Sequence, residues 1–596
     1  MAARNRRYTL AAVTFPLLFL AMSAMARAAT ITVDTLSPTS VSGHCNLSDA
    51  ITAANTKAVV QACTAGTGTD TIEFSVTGTI TLTSELPAIT NTSPGSLTID
   101  GSGQAITVDG AGMFQIFDIS SGTLGLRFLT LAHGTVIGNE EGLGAGGAVF
   151  NEGGTLTVTN CTFSDNQSTG SAVGGSGNGL PGQGGAIYNS GALTVTDSTF
   201  SGNGATGGAG ATTGVGGGEG EGGAIYNDSA MTVINSTFSA NQATGGVGDG
   251  ADSGDGVGGA INNDFGTGTV TNSTFSGNKA NAGSGGGGAG VGGAIENEDG
   301  TLILKSTILA ASTGGNCADI VAVIGDAGYN ISDDNSCGFS GTSVNNSTTL
   351  HLDPAGLANN GGPTQTIALE PNSQAIDFIP VADCTDQSSP TPLPVTTDQR
   401  GYPRPDPGNP DFCDAGAYEL QTTPFVLAPN SERLQIARSS TPYSDQVNMA
   451  FTFTENGFPA CDAGDNAFNG FTVLLRSGRC EALDDASLEL MLEPWVVHTV
   501  NHQSYGTIFQ SIPRETVSAR MVALPTPASP ACGEWTVNIE VAGIDSYDLG
   551  NGPFALVLTN PDGDTGCFDI TNAIVGNQIP TPSHSVRRGV RRQTRR

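Results

Sequence analysis

The stretch GGAIYNSGALTVTDSTFSGN, Gly184–Asn203, is one copy of a line that the chain writes five times. The copies begin at Gly146, Gly184, Gly222, Gly258 and Gly292, and their spacing falls from 38 to 34 residues. A fixed period with fixed apolar columns is the mark of a solenoid, because one unit cannot bury its own apolar face and a stack of units can. The columns are Val149, Ile187, Ile225, Ile261 and Ile295; Val158, Val195, Val233, Val270 and Ile303; and Phe163, Phe200, Phe238, Phe275 and Ile308. The segment ALTVT alternates with period two, so each unit is made of short strands rather than helix. Stacking such strands in parallel, about 4.8 Å apart, sets Ile on Ile, Val on Val and Phe on Phe. Two Asn columns, Asn151, Asn189, Asn227, Asn263 and Asn297, and Asn166, Asn203, Asn241 and Asn278, are then expected to pass amide hydrogen bonds along the rod.

The expected fold is therefore all-β: a right-handed parallel β-helix solenoid with an N-terminal helical cap and a C-terminal β-sandwich. Residues 1–29 read as a signal peptide, with Arg4, Arg6 and Arg7 ahead of the apolar LAAVTFPLLFLAMSAM and small residues near Ala28 and Ala29. Residues 30–66 read as the cap, in which Leu47, Ala50, Ile51 and Ala54 make a helical apolar stripe. The β-helix is assigned to residues 67–315, a Pro-rich closing segment to 316–420, the sandwich to 421–579 and a basic disordered tail to 580–596. In the sandwich region the Gly columns stop, and GEWTVNIEV and GPFALVLTN read as alternating strands. No segment beyond the leader is apolar enough to span a membrane, so the mature chain is expected outside the cytoplasm: extracellular, at the cell surface or periplasmic.

Charge narrows the partners. The formal net charge is −33, and ten of the 22 basic residues are arginines in the first 27 and the last ten positions, so the body is more acidic still. Such a body repels phosphate backbones, and nucleic acid is not an expected partner. Eleven cysteines fit an oxidising compartment. Their order suggests local loops: Cys45 with Cys63, Cys317 with Cys337, Cys384 with Cys413, Cys461 with Cys480, and Cys532 with Cys567, leaving Cys161 as a buried thiol in a serine column.

The columns and flanks also carry resemblances. The GGA[IV] and FxxN motifs, here GGAIYN and FSGN, resemble the repeats of the chlamydial polymorphic outer-membrane proteins, which are β-helix adhesins. CNLSDAITAANT, Cys45–Thr56, resembles the CSLREA signature that opens many exported bacterial β-helix proteins. GYNISDDNSCGF, LDPAGLANNGGPTQTIALEPNSQAID and the pair TDQRGYPRP and CDAGAYE resemble the choice-of-anchor Q domain, whose members are exported β-helix proteins with varied C-terminal anchors. These likenesses imply an exported adhesive or matrix-binding protein, with a polysaccharide, matrix or cell-surface ligand. A polysaccharide lyase or glycoside hydrolase and a purely structural envelope protein are the alternatives.

Candidate chemistry is sparse. Glu152, Asp228, Asp264 and Glu298 each follow an Asn of the first column, so neighbouring carboxylates would lie about 5 Å apart along the rod. Asp228 and Asp264 make the best catalytic pair that can be built. Their corners, NDSA and NDFG, read as solvated turns in which both acids stay ionised, so the turn reading is preferred to a catalytic pair or a calcium ladder. Asn560, Asp562 and Asp564 in NPDGDTG resemble an oxygen-rich calcium turn, and calcium is the only cofactor to which the pattern points. The Gly-rich insertions 167–183, 204–221, 242–257 and 279–291 fall at one point of each repeat. They are expected to project from one edge of the rod, as flexible spacers or as a row of binding loops.

Overall fold

The computed structural model describes residues 28–421 apart from 91–94, 139–141, 173–176, 211–213, 249–251, 320–322, 388–391 and 407–408, together with the backbone of strands between Phe425 and Gly576. The leader, the tail, the turn Asn560, Asp562 and Asp564, and the side chains of Cys461, Cys480, Cys532 and Cys567 lie outside this part.

The rod is a parallel β-helix. Its longest sheet has ten strands and starts with Ala29–Val33, which pairs in parallel with Thr69–Phe74; the first rung therefore lies inside the stretch assigned to the cap. A nine-stranded sheet carries the Phe column, and a seven-stranded one, from Phe117–Ile119 to Cys317–Asp319, carries the first Asn column. Inside, Phe163, Phe200, Phe238 and Phe275 stack face to face with ring centroids 4.6–4.8 Å apart and planes within 4°. The first Asn column is an unbroken ladder: Asn151 Nδ2 donates to Asn189 Oδ1, Asn189 to Asn227, Asn227 to Asn263 and Asn263 to Asn297, all at 2.6–2.7 Å. The second runs from Asn166 to Asn278 at 2.9–3.0 Å. Every amide in both ladders is fully buried, which is tolerable only because the neighbouring rung satisfies it.

Register corrects two columns at the last full repeat. Phe275 pairs with Leu309 and Val270 with Leu304, while Ile308 and Ile303 pair with Thr274 and Thr269. Three residues separate Asn263 from Thr267 and Asn297 from Thr301, against two between Asn189 and Ala192 and between Asn227 and Ala230. One more corner residue moves each side chain to the other face.

At the N-terminal end, helix α1 (Leu47–Thr56) starts at Asn46, whose side chain accepts from Asp49 N–H at 2.7 Å, and buries Leu47, Ala50, Ile51, Ala53 and Ala54 against the first rungs. The Cys45–Cys63 disulfide ties its start, and Cys317–Cys337 and Cys384–Cys413 tie the far end. Beyond the last rungs the chain turns back along the flank. Gln399 accepts from Thr237 Oγ1 at 2.6 Å and donates to Thr199 Oγ1 at 2.9 Å, and Ala417 N–H donates to Thr274 Oγ1. Residues 349–420 thus cover the outside of the Phe sheet, so this part is a side wall as well as a closure. Its own core holds the buried ion pairs Arg400–Asp398 and Arg404–Glu419.

Over their described residues the Gly-rich insertions are not flexible spacers but packed layers. Their bases form two further parallel sheets of five strands each. Their described arms interleave: Gly208 N–H bonds Leu180 O, Gly218 bonds Gly208 O, Gly246 bonds Gly218 O, Gly254 bonds Gly246 O and Gly283 bonds Gly254 O, at 2.7–3.0 Å. A Cβ at Gly207, Gly246 or Gly254 would sit 1.7–1.9 Å from a neighbouring carbonyl oxygen. Glycine is there because backbone packs directly on backbone.

Between Phe425 and Gly576 an eight-stranded and a four-stranded sheet form, antiparallel except where Arg433–Ala437 meets Ala573–Gly576. Glu534–Ile544 belongs to the first and Phe554–Thr559 to the second, so these two strands are not a hairpin. Among the described residues no helix is long and apolar enough to cross a membrane.

Two outcomes test this architecture. Phe238→Asp places an unpaired charge in the Phe stack, at a cost of several kcal/mol, and circular dichroism should show the cooperative melt lost or sharply lowered. Gly254→Val should open the Gly layer alone, read as hydrogen exchange gained at residues 207–210, 245–248 and 283–285 while the Asn ladders stay protected.

Candidate functional site

Each repeat opens with two glycines, and the first holds a positive φ of 60–66° at Gly146, Gly184, Gly222, Gly258 and Gly292. That turn folds the end of the Gly layer against the strand that follows. Two outward columns meet there. One is Ala145, Gln183, Glu221, Val257 and Val291; the other is the middle residue of each Asn-column strand, Phe150, Tyr188, Tyr226, Asn262 and Glu296.

The second column changes character along the rod. Phe150, Tyr188 and Tyr226 stack with centroids 5.1 and 5.2 Å apart. Asn262 and Glu296 continue the line, and Tyr226, Asn262 and Glu296 are 5%, 1% and 0% exposed, although they point away from the apolar core. Within the first column Gln183 Nε2 donates to Glu221 Oε2 at 2.7 Å, while among the described residues Gln183 Oε1, both polar atoms of Asn262 and both carboxyl oxygens of Glu296 have no hydrogen-bond partner.

The corner acids line the rim of this slot. Backbone bonds from Asp228 N–H to Asn189 O, from Asp264 to Asn227 O and from Glu298 to Asn263 O set one acid per rung. Asp264 is not an open corner. Its Oδ2 accepts from Tyr226 Oη at 2.7 Å, and desolvation holds its carboxyl above the usual range. The expected picture of Asp264 as an open, hydrated corner is corrected accordingly, because Tyr226 covers one side of its carboxyl. The residue that sequence reasoning passed over is Glu296. Burial, followed by repulsion from Glu298, Asp264 and Glu221, pushes its carboxyl from 4.5 up to about 9. Glu221 rises to about 8, chiefly through burial. The signal was present in the fifth copy, GGAIEN, where Glu stands in place of Tyr. Reading that position as outward hid its burial, because alternation along a strand shows which face a residue takes and not what covers that face.

Chemically the slot offers a protonated carboxyl, a primary amide and a phenol, beside carboxylates at the rim. Each of the first three can both donate and accept. Among the described residues no group of three or more His, Cys, Asp or Glu is placed to hold a metal ion. Cys161 is no nucleophile: its Sγ lies 3.4 Å from Thr159 O, and burial raises the thiol to about 12.

These carboxyls make stability depend on pH. Glu296, Glu221 and, on the side wall's contact, Asp197 at about 7 hold protons more tightly folded than unfolded. Below about pH 4 both states are protonated and the full stability is present. As pH rises the unfolded chain ionises first, so stability falls until the folded values are passed. The melting temperature should therefore drop from pH 5 to pH 9, and Glu296→Gln should flatten the drop. A flat profile for the parent would contradict the buried carboxyls.

No protein family and no curated protein matches the chain.

Proposed function

We propose that this is an exported surface or extracellular β-helix protein that binds a neutral glycan in the slot between the tyrosine column and the Gly layer. The observation that carries this reading is the set of orphan polar atoms on Asn262 and Glu296, buried and turned toward one line. A buried polar group without a partner is costly, about 1–3 kcal/mol each. A polyhydroxyl ligand both donates and accepts, as do the amide and the protonated carboxyl. The repeat of about 4.8 Å per rung is close to the length of one sugar residue. Export is supported by the Arg-led apolar leader, by three disulfides of the kind that persist in oxidising compartments, and by the CSLREA-like and choice-of-anchor Q-like motifs. The acidic body disfavours anionic polymers such as nucleic acid.

A second reading rests on Glu296 itself. A carboxyl that keeps its proton at neutral pH beside the more exposed Glu298 has the character of a general acid next to a base, as glycoside hydrolysis requires.

The experiment is a glycan array with the full-length chain, with and without calcium, run beside a reducing-sugar and unsaturated-uronate assay. Binding should appear with neutral glycans and be lost in Asn262→Leu and Glu296→Met, with melting unchanged or raised. Retained binding in both variants would remove the slot from the account. Turnover that Glu296→Gln abolishes would replace the binding reading with the hydrolase. Neither binding nor turnover would leave a structural envelope protein.

A further inference from the structure

The long sheet presents its outer face as a grid of threonines. One column, Thr30, Thr71, Thr98, Gly125, Thr157, Thr194, Thr232, Thr269 and Ile303, is Thr at seven of nine rungs. Two residues back along each strand runs a parallel column, Thr123, Thr155, Ala192, Ala230, Thr267 and Thr301, with Thr69 and Ser96 on the rungs below. Opposite faces of the same strands carry Leu124, Leu156, Leu193 and Val195 into the core, which fixes the threonines outward. The grid is rigid: its long repeat is the rung spacing of about 4.8 Å and its short axis is two residues of strand, about 6.7 Å.

Three properties narrow what this face meets. It carries no charge on a chain whose net charge is −33, so its partner is uncharged. It carries no aromatic ring, so it lacks the flat apolar face with which proteins stack sugars. None of the seven threonine hydroxyls in the main column bonds to another protein group among the described residues, and all but that of Thr269, which is buried, are open to an outside partner. The outward charged positions of this sheet, Glu73, Asp100, Arg127 and Lys305, lie in the third outward column, nearer the side wall, while Asp70 and Asp326 lie in line with inward residues Leu97 and Leu304.

We propose that this threonine face binds ice: an ordered, neutral lattice of hydrogen-bond donors and acceptors matched by hydroxyls at fixed two-dimensional spacing. The two repeats of the grid are close to the oxygen repeats on a prism face of ice. Each hydroxyl takes a lattice water's place in a hydrogen bond, and each γ-methyl sits against the water cage between. The β-helix holds this arrangement over about eight rung steps, about 40 Å, without a conformational change, so the ordering cost of binding is small. The proposal is independent of the glycan slot, which lies on another sheet.

Full-length protein carrying a fluorescent label is frozen slowly onto a cold finger, and its partition into ice is measured beside thermal hysteresis. The parent should enter the ice and hold a hysteresis gap. Thr157→Tyr with Thr194→Tyr, both exposed positions, should be excluded from ice and lose the gap. Gln242→Tyr, exposed on a different sheet, and Asn262→Leu in the slot should behave as the parent. A parent left in the liquid overturns the proposal whatever the variants do. So does a double variant that still enters ice. Adsorption to crystalline cellulose or chitin without entry into ice overturns it in favour of a polysaccharide surface.

Discussion

Every rung of the rod depends on the side chain directly above it being nearly the same as its own. Parallel strands in register place equivalent residues one strand spacing apart, and a buried Asn amide at that spacing can be satisfied by another Asn. The two ladders make this concrete. Seven Nδ2 groups find the Oδ1 of the next rung and the last of each ladder, Asn297 and Asn278, donate to backbone carbonyls, so all nine Nδ2 groups are buried without the cost of about 1–3 kcal/mol that an orphan brings. The Phe stack uses the same geometry for dispersion, and ring pairs of this kind add about 0.5–1.5 kcal/mol beyond the area they bury. Repetition in the sequence is thus the condition under which the interior can be both polar and sealed.

The Gly layer is the second consequence. Once the inner rungs are locked at one spacing, the insertions leave and re-enter the rod at that spacing too. Their arms must either splay into solvent or pack backbone on backbone. With side chains they would splay. With glycine at Gly207, Gly218, Gly246 and Gly254, carbonyl and amide meet directly and the arms zip together. Conformational freedom argues for flexible glycine tracts, and that freedom is lost here because each tract has an identical neighbour to bond. The entropy given up by one insertion is offset by hydrogen bonds on two sides.

The repeat, the ladders, the helix over the first rungs and the pairing of Cys45 with Cys63, Cys317 with Cys337 and Cys384 with Cys413 could all be read from the chain, because each rests on local spacing. What could not be read rests on contacts between distant segments. Thr199, Thr237 and Thr274 look like exposed threonines of a Phe strand; they are buried because residues 349–420 return along that flank. Glu296 looks like one more outward residue and is fully buried. The slip at Ile303 and Ile308 has a smaller cause, one added residue at a corner, which alternation amplifies into a change of face.

These observations divide the rod's outside by what covers it. The flank beside the Phe sheet is closed by the side wall, and its threonines are spent on Gln399 and Ala417. Among the described residues the main threonine column of the long sheet has no such side-wall contacts, and its hydroxyls make no bond to another protein group. The Asn-column sheet is intermediate: burial deepens along its outward column, so Tyr188 is half-buried, Tyr226 nearly closed and Glu296 fully so. Along that line the outward residue changes from Phe to Tyr to Asn to Glu, opposite to the trend burial alone would favour. A buried structural column gains by staying apolar, as the Val257 and Val291 positions beside it do. Placing an amide and then a carboxyl at the most buried positions of that column works against stability, because both polar atoms of Asn262 and both carboxyl oxygens of Glu296 are left without a protein partner among the described residues, and it is on this departure from the two satisfied Asn ladders that the proposed glycan site rests.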